Sequence, residues 1–209
     1  MKKIFVANRG EIAVRILRAI RDLGMYSVAA YSKDDSNSKH RILADSSVAL
    51  DGEGPSIYID INAIIAAAKQ EQCDAIHPGY GFLSERPDFA QACAEAGITF
   101  IGPMADQLAL FGDKGSALVL ARECGVPVMP ATHGGATLEE VEQFFDEQGG
   151  VGIVIKAVGG GGGRGMRVVK SKAEIPELYA RCRSEAKSAF GVDVLDAEII
   201  INRNSHLEV

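Results

Sequence analysis

The 209-residue sequence is 47% hydrophobic and 24% charged, the balance of an ordinary globular protein with room for one or two cores. Its net charge of −6 argues against a dedicated nucleic-acid binder, although a nucleotide site needs only a few local cations. Cys73, Cys93, Cys124 and Cys182 form no CxxC pair, which argues against redox and metal roles and fits small core residues in a reducing compartment.

Lys2 and Lys3 precede only Ile4 to Ala7 before Asn8-Arg9, too short for a signal h-region. The longest plain apolar run, Ala63 to Ala68, is far short of a membrane span, so the chain reads as cytoplasmic. Residues 3 to 31 read as a βαβ unit. Ile4 to Ala7 suits a strand buried on both faces, and Ile12, Ile16, Leu17, Ile20 and Leu23 recur at helical spacing. Arg15 and Arg18 lie on the opposite face of that helix, Gly24 stops it, and Tyr26 to Tyr31 resumes a strand. A helix at 60–71, a strand at 74–77, a helix at 87–96 and a strand at 98–101 follow. This alternation predicts an α/β domain with a parallel sheet covered by helices on both faces.

Residues 104–125 read as helical, with Gly112-Asp113 starting a second helix and Gly125-Val126-Pro127 ending it. From about 127 the pattern becomes a small α+β module. It comprises a strand, a helix near 137–147, a strand–glycine loop–strand element, a helix at 173–189 and a strand near 194–201. The last residues, His206 to Val209, are an apolar stub, and a chain stopping inside a strand is expected to be truncated.

The glycine loop holds the main chemical signal. Val154 to Val158 leads into five consecutive glycines, Gly159 to Gly163, and Arg164-Gly165-Met166 leads out into a second apolar segment. A loop without side chains can fold over an anion so that backbone N–H groups meet phosphate oxygens. Gly160, Gly162 and Gly165 match GxGxxG, but a strand rather than a helix follows, which excludes a dinucleotide fingerprint; no Gly-Lys-Ser/Thr follows either, which excludes a Walker A loop. The remaining readings are a phosphate-covering hairpin and a flexible surface turn. Five glycines and the neighbouring Lys156 favour the first.

With Lys156 to Met166 in view, the chain resembles the biotin carboxylase family of ATP-grasp enzymes. Ala7-Asn8-Arg9-Gly10-Glu11-Ile12-Ala13, His77-Pro78-Gly79-Tyr80-Gly81-Phe82-Leu83-Ser84-Glu85 and Gly112-Asp113-Lys114 agree with it in order and spacing. The resemblance covers essentially the whole chain. It implies a Rossmann-like pre-ATP-grasp domain over 1–112, a helical connector over 113–130, an ATP-grasp lid over 131–203 and the start of the C-terminal ATP-grasp part at 204–209. The implied reaction is ATP- and bicarbonate-dependent carboxylation of biotin through carboxyphosphate, with Mg2+ as cofactor. The implied partners are a biotin carboxyl carrier domain and a carboxyltransferase, and a homo-oligomer is expected, as in acyl-CoA or pyruvate carboxylases.

By the same resemblance, Lys114 and Lys156 contact ATP, and Gly162 and Gly163 approach its phosphates. Glu198, Ile199, Ile200, Ile201 and His206 line the nucleotide. Plainer alternatives stand beside several of these: a solvated helix lysine at 114, a snorkelling strand lysine at 156, simple core strand at 199–201 and an incidental histidine in a strand stub at 206. Arg164 either pins the lid or is an exposed hairpin charge. Where the family usually has a lysine after the glutamate and an arginine before the histidine, this chain has Ile199 and Ser205. Tyr80 and Gly81 resemble the wall of the biotin and bicarbonate pocket; the alternative is a structural turn with Tyr80 and Phe82 packed inward. His77 reads as a structural hydrogen-bonding residue. Arg15 and Arg18 serve either a dimer interface or a solvated face.

In the family the magnesium-binding glutamates, the bicarbonate arginine and the base lie after the lid. No residue here is therefore assigned to metal or to catalysis, and the 209-residue chain is expected to be inactive alone. The competing reading is a nucleotide-binding or dimerisation module without catalysis.

Overall fold

The computed structural model describes residues 2–132, 134–158 and 165–201. The expectations placed on Gly162, Gly163, Arg164 and His206 lie outside the described residues. The chain divides into two compact units, Met1–Ala117 and Leu118–Val209.

In the first unit, short apolar runs form strands buried on both faces. β1 (Lys3–Val6) pairs in parallel with β2 (Tyr26–Tyr31) on one side and β4 (Ala75–His77) on the other, with Phe5 between Val28 and Ile76. β3 (Ser46–Ala49) and β5 (Thr99–Phe100) complete an all-parallel sheet of order β3-β2-β1-β4-β5. α1 (Gly10–Asp22) turns Ala13, Ile16, Leu17 and Ile20 onto one face of the sheet and leaves Arg15 and Arg18 exposed, but Leu23, expected on the apolar face, caps the helix end and is 69% exposed. α3 (Ile61–Gln70) and α4 (Pro87–Glu95) bury Ile64, Phe89 and Cys93 on the other face. Asp60 caps α3 by accepting from the Ala63 N–H at 3.0 Å.

Between β2 and α3 the structure adds elements that periodicity did not reveal: α2 (Lys39–Leu43), β3 and a 3-10 turn at Pro55–Ile59. They are too short for a helical or strand period to register, and the Ser-rich β3 is only half-buried at the sheet edge. α5 (Ala105–Gly112) and α6 (Lys114–Glu123) meet at Asp113, whose Oδ1 accepts the Ser116 N–H at 2.7 Å and starts the second helix as expected. The boundary between the two units falls inside α6.

The second unit is a three-stranded antiparallel sheet of order β7-β6-β8, made of β6 (Ile153–Ala157), β7 (Met166–Val169) and β8 (Leu195–Ile199). α7 (Leu138–Glu147) and α8 (Ile175–Phe190) cover one face, where Ile153, Ile155, Val169, Leu195 and Ala197 pack against Val141, Phe145, Ile175 and Cys182. A capping box between Thr137 and Glu140 starts α7.

Three expectations are corrected. The strand expected from about 127 is reduced to one bridge, Ala131 to Glu198, flanked by Thr132 N–H to Ala197 O at 2.9 Å; Pro127 and Pro130 have no N–H to extend a ladder. The strand expected to run to 201 stops at Ile199. Cys73, Cys93 and Cys182 are core residues, but Cys124 is exposed near the end of α6. The expected fold class holds: a parallel sheet with helices on both faces, followed by a small α+β module.

Candidate functional site

In the first unit the sheet order reverses between β1 and β4. The chain proceeds from β1 outward to β2 and β3, then crosses back to β4 and β5. Open parallel sheets form a crevice at such a switch point, at the carboxyl ends of the strands. Here the loops in question are Asn8-Arg9 and Pro78 to Phe82. The buried Asn8 amide donates from Nδ2 to the Pro78 carbonyl at 2.7 Å and the Tyr80 carbonyl at 3.0 Å. Gly79 lies between those acceptors at φ +70°, and a Cβ there would fall 2.5 Å from Asn8 Nδ2. The inward-packed alternative for Tyr80 does not hold: its side chain points out, with the residue 71% exposed, while Gly81 follows in the turn. His77 accepts the Gly79 N–H at Nδ1 (3.0 Å), the structural role expected of it, and burial lowers its pKa.

Beside this turn, Arg9 forms a two-point ion pair with Asp35, Nε to Oδ2 at 2.6 Å and Nη2 to Oδ1 at 2.7 Å. Tyr58 Oη and Ser32 Oγ also donate to Asp35, at 2.9 and 3.1 Å. The Arg9 guanidinium holds the Asp35 carboxyl down at about 2, and the same pairing raises the Arg9 pKa. Burial pushes the Tyr58 phenol up to about 12. The sequence pattern singled out Asn8 and Arg9 only as part of a motif; two polar residues directly after a doubly buried strand were the available signal.

In the second unit the face of the sheet away from α7 and α8 carries the chemistry. Alternation along β6 puts Val154 and Lys156 there, with Met166 and Val168 beside them on β7 and Asp196 and Glu198 on β8. Lys156 stands directly opposite Asp196 in the register, and its ammonium is ion-paired diagonally with Glu198. Ile199, Ile200 and Ile201 continue from that strand; the Ile200 N–H donates to Gly152 O at 2.9 Å, and Ile201 is exposed. Lys114 is the first residue of α6, in the other unit. Thus Lys156 and Glu198 are brought together on the open face, Ile199 packs instead into the core under α7 and α8 as the core-strand alternative has it, and Ile200 and Ile201 lie at the exit of β8, whereas Lys114, Tyr80 and Gly81 belong to the first unit.

Residues 1–108 match the biotin carboxylase N-terminal domain. The chain belongs to the biotin carboxylase family. Residues 113–209 match the ATP-binding domain of the carbamoyl-phosphate synthase L chain. The chain is 52% identical over 213 residues to pyruvate carboxylase of Bacillus subtilis, covering 100% of this chain and 18% of that protein. It is 46% identical over 212 residues to biotin carboxylase of Haemophilus influenzae, again with 100% of this chain but 47% of the relative. The chain therefore spans less than half the length of either relative. Among solved structures it is similar to the biotin carboxylase domain dimer of Hydrogenobacter thermophilus 2-oxoglutarate carboxylase, determined with MgADP, ADP and bicarbonate. The TM-score is 0.80 at 39% identity, over 96% of this chain and 44% of that one.

The second unit lies within the region that matches an ATP-binding domain. Its open sheet face offers the exposed apolar side chains of Met166 and Val168 next to a half-buried lysine, a surface suited to a purine beside a phosphate. Among the described residues no cluster of three His, Cys, Asp or Glu side chains could hold a metal ion. Among the same residues no helix is long and apolar enough to cross a membrane.

Proposed function

We propose that this chain supplies the N-terminal domain and nucleotide lid of a biotin carboxylase, which carboxylates biotin at the expense of ATP and bicarbonate. The family match together with the Lys156–Glu198 pair on the open sheet face carries this reading. Within it, residues 1–112 are the N-terminal domain, 113–130 a helical connector, 131–203 the lid and 204–209 the start of the following ATP-grasp part.

Lys114 and Lys156 bind the nucleotide as compact cations, and Gly162 and Gly163 offer backbone N–H groups to its phosphates. Glu198 orients the Lys156 ammonium, while Ile199, Ile200 and Ile201 give backbone groups and an apolar wall to the base; His206 flanks it. Tyr80 and Gly81 form one wall of the pocket for biotin and bicarbonate. When bound, ATP supplies the phosphoryl group that activates bicarbonate as carboxyphosphate. No step is assigned to magnesium on these residues.

A biotin carboxyl carrier domain and a carboxyltransferase are the partners of this reading, with a homo-oligomeric assembly in the cytoplasm. Pyruvate is the first acceptor to test, since the relatives described include a pyruvate carboxylase. The deciding experiment measures ATP cleavage by the complete polypeptide carrying this sequence, with and without biotin and bicarbonate. Cleavage that depends on both supports the proposal, and cleavage indifferent to both overturns it. The 209-residue chain by itself is expected to show no such cleavage.

A further inference from the structure

β1 and β4 are neighbours in the sheet, yet the loops that follow them are far apart in sequence and one side chain ties them together. Asn8 is 2% exposed. Its two amide protons face the carbonyls of Pro78 and Tyr80, and its Oδ1 accepts the Arg9 N–H at 2.8 Å. A primary amide suits this place because it offers two donors and an acceptor from one planar group. A carboxylate of the same size would set oxygen against both carbonyls, and an alanine would leave them without their donor.

The far end of the turn is held independently. Phe82 takes φ +44°, a conformation uncommon for a bulky residue, and its ring stacks on Tyr58 with centroids 5.5 Å apart. Tyr58 is in turn anchored through Asp35 to Arg9, the residue after Asn8. Two consecutive residues thus fix both ends of one turn by separate routes. Between the anchors stands the exposed Tyr80 side chain, at the switch-point crevice. Phe82 and Leu83 carry the turn into the core, whereas the Tyr80 side chain, 71% exposed, takes no part in it.

We propose that Asn8 is a positioning residue for substrate, fixing the backbone beneath Tyr80 and Gly81 so that they meet the ureido ring of biotin as a preformed wall. A turn already ordered has less conformational freedom to lose on binding. This inference rests on the reading of Tyr80 and Gly81 as the pocket wall.

The test measures KM for free biotin and for ATP in the complete carboxylase polypeptide. Asn8→Ala is expected to raise the biotin KM about tenfold and to leave the ATP KM within about twofold. Gly79→Ala, which crowds the Asn8 amide and Ile12 and strains a backbone held at φ +70° without removing a hydrogen-bonding group, is expected to give the same split. Tyr80→Ala separates the two claims. If it raises the biotin KM while Asn8→Ala and Gly79→Ala do not, the positioning role is overturned and the pocket reading stands. If it leaves the biotin KM unchanged, the pocket reading fails and the proposal with it. Equal changes in both KM values would mark a general structural role and also overturn the proposal. Should Asn8→Ala fail to fold, Gly79→Ala decides.

Discussion

Lys156 and Glu198 are ion-paired diagonally across β6 and β8, on the face of the second sheet that the helices leave open. Their side chains are 16% and 25% exposed, so the pair is neither a solvated surface bridge nor a sealed core one. A lysine held this way keeps its direction, and neighbours an apolar surface that a purine can cover. Replacing Lys156 with alanine is therefore expected to weaken ATP binding about tenfold or more in calorimetry with ATP and magnesium. Unchanged affinity would remove Lys156 from the nucleotide site. Glu198→Gln, which keeps size but not charge, is expected to weaken binding less.

How much of this was legible beforehand depended on how local the signal was. The period of α1 and the doubly buried run of β1 follow from nearest neighbours in sequence, and the structure has both. The glycine-rich segment between β6 and β7 was recognisable because the strands on either side are apolar and its composition is extreme. The Lys156–Glu198 contact was not visible as a pair, because it depends on the antiparallel register of β6 with β8, which places Val154 rather than Lys156 opposite Glu198. Asn8 was opaque for the same reason at longer range: its partners are known only once β4 is placed beside β1. Tyr58 lies in a 3-10 turn with no period at all, and its burial follows from Asp35 and Phe82 rather than from its own segment.

Gly165 ends the hairpin at φ +65°, and its carbonyl accepts both the Ala157 N–H at 2.8 Å and the Cys182 thiol at 3.1 Å. A Cβ there would stand 3.0 Å from the Ala157 Cβ, in addition to the cost of the left-handed backbone. Gly165→Ala is expected to destabilise the second unit by about 1–2 kcal/mol, read as a lower urea midpoint. An unchanged midpoint would mean that the hairpin relaxes freely at this position.

The four cysteines divide by environment. Cys124 is exposed, whereas burial raises the thiols of Cys73 and Cys93 to about 11 and also raises Cys182. A chromogenic disulfide reagent at pH 8 is expected to titrate one thiol quickly in the native 209-residue chain and all four in denaturant. Cys124→Ser should abolish the fast phase. Rapid loss of a second thiol under native conditions would contradict the burial of the other three.

Asp35 gives the first unit an acid-sensitive anchor. Its carboxyl is held at about 2, below the ordinary 3.8, chiefly by the hydrogen-bonded Arg9 guanidinium and further by Tyr58 and Ser32. A folded-state pKa below the unfolded one means that the unfolded chain binds the proton more readily as the solution acidifies. The stabilisation is therefore fully present above about pH 4 and disappears as pH falls through the folded value near 2. A shift of this size corresponds to about 2 kcal/mol. Asp35→Asn is expected to lower the stability of the first unit at pH 7, and the gap from the parent chain in urea unfolding should narrow steadily between pH 4 and pH 2. Tyr58→Phe removes one of the donors while keeping the ring on Phe82, so it should shift the same transition slightly upward in pH without abolishing it. A gap between the parent and Asp35→Asn that stays constant over this range would show that the Arg9–Asp35 pair is not the group being titrated.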